Sequence, residues 1–173
     1  MSGELGDIRA LVLDVDGVLT DGSIWLSDSG EEMKRFSVRD GLALSLWVRS
    51  GRGVALVTGR SGLAVSHRAR ELGIAVVIAG CGDKGDGFER AVTALKCVAR
   101  QVAVVGDDLP DLPMLRRCGY PVAVGDACAE VRAAARYTTR LSGGYGAVRE
   151  TVEHLLQACG EWPKLAAQFE ATS

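Results

Sequence analysis

Four short runs decide what this chain can become. Ile8–Leu13, Val54–Val57, Ala75–Ala79 and Val102–Val105 are almost wholly apolar, and each closes on Gly, Asp or Thr. They lack the regular apolar–polar alternation of a half-solvated strand, so both faces of such a strand must be buried. Strands of that kind belong in a parallel sheet covered by helices on either side. Between the runs, Gly41–Arg52, Ser61–Gly73 and Lys84–Lys96 show helical spacing; in the last, Phe88, Ala91, Val92 and Leu95 fall on one face. Gly51, Gly73 and Gly119 stand where helix-terminating glycines belong. The alternation predicts an α/β doubly wound parallel sheet, Rossmann-like. One segment breaks the rhythm: Ser23–Leu26 and Met33–Val38 read as strands around the polar turn SDSGEE, a β-hairpin inserted at about 23–38. The 173 residues suit one substantial core, so a single domain is expected over 1–173, with a looser tail from about 160 to 173 that starts at GEWPK.

Composition excludes more than it assigns. A net charge of −2 offers no electrostatic footprint for nucleic acid or an anionic membrane. The opening MSGELGDIRA lacks the layout of a signal peptide, and no apolar run approaches a membrane span. Five cysteines, scattered and without a C-x-x-C, read as reduced core thiols of a cytoplasmic protein.

In open α/β sheets the ligand sits beyond the carboxyl ends of the strands. The polar residues at those ends form a set. Asp14 and Asp16 follow the first strand, Thr58 the second, Asp107 and Asp108 the fourth, and Lys84 opens the helix after the third. Carboxylates without soft donors suit Mg²⁺, which is held by one or two carboxylates together with substrate phosphate. Lys84, Thr58 and N–H groups at helix starts would take the phosphate oxygens. Asp14 could attack phosphorus, and Asp16 could move the protons.

DVDGVLT, VTGR, Lys84 and VGDDLPD, in this order and spacing, resemble the four motifs of the haloacid dehalogenase-like phosphatases. GEEMKRFSVRDG and SGGYGAVRE extend the resemblance to the capless, tetrameric branch of that superfamily, over Ile8–Leu156. It implies a Mg²⁺-dependent phosphatase acting through an aspartyl-phosphate, with Asp14 as nucleophile and Asp16 as general acid/base. Metal would sit on the Asp14 and Asp107 carboxylates and the Asp16 carbonyl, with Asp108 nearby through water. Thr58, Gly59 and Lys84 would bind phosphate, and Arg60 would face the carboxylate of an eight- or nine-carbon keto sugar acid phosphate, a partner that a guanidinium pairs bidentately. Arg60 resembles the eight-carbon branch. A homotetramer is implied too, in which hairpins carrying Ile24, Trp25, Leu26, Met33 and Phe36 pack together and cap one another's sites. Relatives of the branch can lay a C-terminal segment over a neighbour's site, and KLAAQFEATS has no counterpart to it.

Other readings compete at single positions. Asp108, with Pro110 and Asp111 after it, reads equally as a helix N-cap supported by Asp111. His67 and His154 read as helix-surface residues, and Arg39, Arg140 and Arg149 as solvated arginines. Gly80–Gly85 is a G-x-G-x-x-G after a strand, so a dinucleotide-binding protein is a second class. Fewer than 100 residues follow Ala75, too few for two mononucleotide halves. A third class, an idle oligomerisation module, is at odds with the intact catalytic set.

Overall fold

The computed structural model describes residues 5–169. Six parallel strands form the sheet: β1 (Ala10–Leu13), β4 (Gly53–Val57), β5 (Val76–Ile78), β6 (Val102–Gly106), β7 (Tyr120–Ala123) and β8 (Tyr137–Thr138), in the order β5-β4-β1-β6-β7-β8. β2 (Trp25–Leu26) and β3 (Glu32–Met33) form the separate hairpin. Helices connect the strands: α1 (Val38–Arg49), α2 (Leu63–Glu71), α3 (Lys84–Ala94), α4 (Leu112–Leu115), α5 (Ala129–Ala134), α6 (Ala147–Ala158) and α7 (Trp162–Ala167). α1 packs on α6 and α6 on α7, while α3, α4 and α5 form a second group. Among the described residues, no helix is long and apolar enough to cross a membrane.

β1 is one of the two central strands, and all four of its residues are fully buried, as its apolar sequence demands. Its register sets the site. Leu13 lies opposite Leu56 on β4 and Val105 on β6. Three neighbouring strands therefore end at nearly one level and release Asp14, Thr58 and Asp107 along the same edge of the sheet.

Several expectations shift. Ser37 caps α1, its side chain accepting from the Asp40 N–H, so the helix starts at Val38 and the second hairpin strand is confined to Glu32–Met33. Gly51 and Gly73 do turn left-handed after their helices, with φ of 82° and 74°. Gly119 does not; a Cβ there would lie 2.0 Å from the Arg100 carbonyl oxygen, so close backbone contact is what requires glycine. β7 is a strand beyond those predicted, and Pro121 within it removes a ladder donor, which disguises it in the sequence. On the hairpin, Ile24, Trp25, Leu26 and Met33 are exposed, whereas Phe36 packs on the core of its own chain beneath Arg68. His154 is no free surface residue: it stacks on the Tyr137 ring at 4.1 Å and shares a 2.9 Å hydrogen bond with the Tyr120 hydroxyl. The expected loose tail is folded as far as Phe169, where Glu161 grips two nitrogens of Arg52 at 2.7 Å each and Trp162 and Leu165 pack on the core. The last four residues of that tail, 170–173, lie outside the described residues. All five cysteines are free thiols.

Candidate active site

The loop leaving β1 is wound tightly. The Leu19 and Thr20 N–H groups return to the Val15 carbonyl at 2.9 and 3.0 Å, and Thr20 Oγ1 accepts from the Gly22 N–H. Asp21 Oδ1 accepts from the Ser23 N–H and Gly22 has φ 75°, which together turn the chain into the hairpin. Gly17 adopts φ 92°, and a Cβ there would sit 2.1 Å from Asp107 Oδ2. Glycine thus lets the β6 carboxylate come up against the β1 loop. Gly143 is as constrained, because its Cβ would lie 1.7 Å from the Gly17 carbonyl oxygen.

The segment carrying Gly143 is fixed from below. Buried Asp40 accepts from the Gly146 N–H at 3.2 Å and the Arg149 N–H at 2.7 Å. Burial raises its carboxyl above the usual range, and these N–H bonds oppose the rise. The FSVRDG and SGGYGAVRE segments are therefore scaffolding for the β1 loop. Arg149 is no solvated arginine, since it pairs with Glu153 and lies over the Trp162 ring. Arg140 reaches Glu150 only at 3.4 Å with its side chain 91% exposed, and Arg39 is exposed.

Asp14, Asp107 and Asp111 converge, each offering an oxygen within 4.8 Å of the others. Lys84 Nζ lies 2.7 Å from Asp14 Oδ1 and 2.6 Å from Asp111 Oδ1. Three carboxylates thus crowd together, and one ammonium pairs with two of them. At an effective dielectric of about 20, like charges about 4 Å apart repel by about 4 kcal/mol. Burial, then the Asp111 charge, raises Asp14 to about 6 against the pull of Lys84. Burial, Asp111 and Asp14 together raise Asp107 to about 8. Among the described residues, Asp107 Oδ1 is moreover buried with no hydrogen-bond partner. An orphaned buried carboxylate oxygen in an all-oxygen cluster with excess negative charge fits a hard divalent cation, Mg²⁺.

The remaining residues divide. Thr58 is buried, and its Oγ1 accepts from the Arg60 N–H at 3.2 Å. Thr58, Gly59, Arg60 and Lys84 line a cavity of about 530 Å³ with Asp14 and Asp16. Asp108 is exposed and takes the N-cap role, its Oδ1 accepting from the Leu109 N–H at 2.8 Å. Asp111 does more than support a cap: buried in the cluster, its Oδ2 accepts from the Asp107 N–H at 2.9 Å while its Oδ1 holds Lys84. The G-x-G-x-x-G turn is no seat for a pyrophosphate, because Asp83 caps α3 by accepting from the Gly85 and Asp86 N–H groups.

Two site residues escape a reading confined to strand ends. Lys34 is ion-paired with Asp16 and lies 2.8 Å from Glu32, and Glu32 is in turn ion-paired with Arg60. The signal was in GEEMKRF, where Glu32 and Lys34 flank the exposed Met33 and so share the opposite face of an extended segment.

Residues 75–148 match the family model described as haloacid dehalogenase-like hydrolase. The 3-deoxy-D-manno-octulosonate 8-phosphate phosphatase of Yersinia pestis is 42% identical over 152 residues, covering 88% of this chain and 81% of that protein. Its counterpart in Escherichia coli (strain K12) is 42% identical over 162 residues, covering 94% and 86%. The crystal structure of the Moraxella catarrhalis phosphatase of the same name, in complex with magnesium ion, phosphate ion and a KDO molecule, is 39% identical, with a TM-score of 0.93 and 97% of each chain covered. The chain belongs to the 3-deoxy-D-manno-octulosonate 8-phosphate phosphatase family of haloacid dehalogenase-like hydrolases.

Proposed function

We propose that this chain is a Mg²⁺-dependent phosphomonoesterase that hydrolyses 3-deoxy-D-manno-octulosonate 8-phosphate to the free sugar acid and phosphate. The observation that carries the reading is the convergence of Asp14, Lys84 and the orphaned Asp107 oxygen, with Asp14 and Lys84 lining a cavity that has Arg60 on its wall. The names of its relatives, and the KDO molecule bound in one of their structures, support the substrate.

In this reading an Asp14 oxygen attacks phosphorus, the P–O bond to the sugar breaks, and Asp16 gives its proton to the leaving oxygen. A water then attacks the aspartyl-phosphate, its proton passes to Asp16, and Asp14 is regenerated as phosphate departs. Lys84, Thr58 Oγ1 and the Gly59 N–H hold the phosphoryl oxygens. Asp14, Asp107 and the Asp16 backbone carbonyl would hold Mg²⁺, with Asp111 bracing the cluster and Lys84. When bound, the ion neutralises the charge that collects on the phosphoryl oxygens. Asp16 favours an ester substrate, since a carbon–halogen bond needs no leaving-group proton.

Phosphate release from the eight-carbon 8-phosphate and a nine-carbon nonulosonate 9-phosphate, with and without Mg²⁺, tests the reading. The expected result is Mg²⁺-dependent release with kcat/KM at least about tenfold higher on the eight-carbon ester, the selectivity that one extra carbon can produce. Equal or better turnover of the longer acid, or of a neutral hexose phosphate, would overturn it.

The same proposal places the enzyme in the cytoplasm as a homotetramer. Supporting it, Ile24, Trp25, Leu26 and Met33 are each more than half exposed on a hairpin with two paired residues per strand, too small to stand alone. Trp25 and Met33 are cross-strand partners. Replacing both with Glu is expected to shift the mass measured by light scattering from four subunits to one. A tetramer that survives this double change would remove the hairpin from the interface.

A further inference from the structure

We propose that Glu32 is the residue that gives Arg60 its selectivity for a carboxylated substrate, acting as a positioning residue through the Arg60 guanidinium; this rests on the sugar acid reading of the cavity. Arg60 is 44% exposed along its side chain, and a long solvated arginine would sample many rotamers before meeting a ligand. Glu32 removes that freedom. Its Oε2 accepts from Arg60 Nε at 3.1 Å and from Nη2, a side-on grip on one edge of the guanidinium. The grip leaves Nη1 without a partner among the described residues, so the end of the planar fork stays available to a second carboxylate.

Glu32 is in turn anchored on the catalytic loop. Its Oε1 lies 2.8 Å from Lys34 Nζ, and Lys34, whose side chain is 2% exposed, pairs with Asp16. Both Glu32 oxygens are thereby engaged within the protein, Oε1 by Lys34 and Oε2 by Arg60. The alternating chain Asp16–Lys34–Glu32–Arg60 links two residues of the cavity lining, Asp16 and Arg60. It sets the distance between the end where the phosphate ester is cleaved and the end where the acid is read. The β3 edge of the hairpin is thus a ruler laid between the two.

The test is steady-state kinetics of wild type, Glu32→Gln, Arg60→Gln and the double variant. The substrates are the sugar acid phosphate and p-nitrophenyl phosphate, which has no carboxylate. Glu32→Gln is expected to raise KM for the sugar acid phosphate about tenfold with kcat changed less than about threefold, and to alter the aryl phosphate far less. In the Arg60→Gln background, Glu32→Gln should add less than about twofold, because the two residues act as one unit. Equal losses on both substrates, or effects that multiply in the double variant, would overturn the proposal. Should Glu32→Gln fail to fold, Arg60→Gln alone must show the substrate-selective KM rise, and its absence would equally overturn it. A wild-type enzyme without preference for the sugar acid phosphate would overturn the functional reading together with this one. A selective wild type beside an equally selective Glu32→Gln overturns this one alone.

Discussion

Asp14→Asn is expected to reduce turnover of any phosphate ester by at least about 10⁴-fold, because an amide cannot serve as the attacking oxygen nucleophile. The fold should survive. The substitution removes one of three crowded carboxylate charges, and Asp111 still satisfies Lys84 at 2.6 Å. Asp16→Asn should behave differently, losing about 10²-fold or more from proton transfer, with the deficit smallest on esters whose leaving group needs no proton. An aryl phosphate with an acidic phenol is the discriminating substrate. Stopped-time phosphate assays on fresh protein, beside thermal melts, separate chemistry from folding. Near-normal initial rates from Asp14→Asn would reject the assignment of the nucleophile.

Chelation is expected to abolish activity and added Mg²⁺ to restore it, while Ca²⁺ should inhibit through its longer and looser coordination. The metal should also stabilise the fold, by about 2.7 kcal/mol at a free concentration of about 100 times Kd. The pH dependence has a definite sign. Asp14 and Asp107 ionise in the metal-free fold at about 6 and about 8, above the ordinary 3.8. Between those values the folded chain binds more protons than the unfolded one, so metal-free stability falls as pH rises through that window. Protons and metal compete for the same oxygens, so apparent Mg²⁺ affinity should weaken as pH falls below about 8. Calorimetric titration from pH 6 to 9 measures this. Full activity after exhaustive chelation, or metal affinity that is flat in pH, would contradict the assignment.

The sheet and the placement of Asp14, Thr58, Lys84 and Asp107 were legible because strand ends and ligand crevices are linked by topology. What was not legible depended on side-chain reach. Asp111 sits four residues beyond Asp107, and only the tight 3-10 turn over Leu109–Asp111 swings its carboxylate back beneath Lys84. Spacing alone could not separate that from a cap. Lys34 and Glu32 were hidden because a hairpin's contacts with the loop before it are set by the turn at Asp21 and Gly22, which carries no long-range signal. His154 read as exposed because the two tyrosines that enclose it come from strands too short, or too marked by proline, to be anticipated.

The register of β1 between β4 and β6 has a consequence for how the protein is made. As the nascent chain leaves the ribosome, Asp14 emerges first, but the strand that completes its surroundings ends at Gly106, and Asp107 and Asp111 come later still. No fragment that ends before Asp107 holds all three carboxylates of the cluster. A metal site on these carboxylates would form only after β6 has been made, while β7 and β8 are still to come.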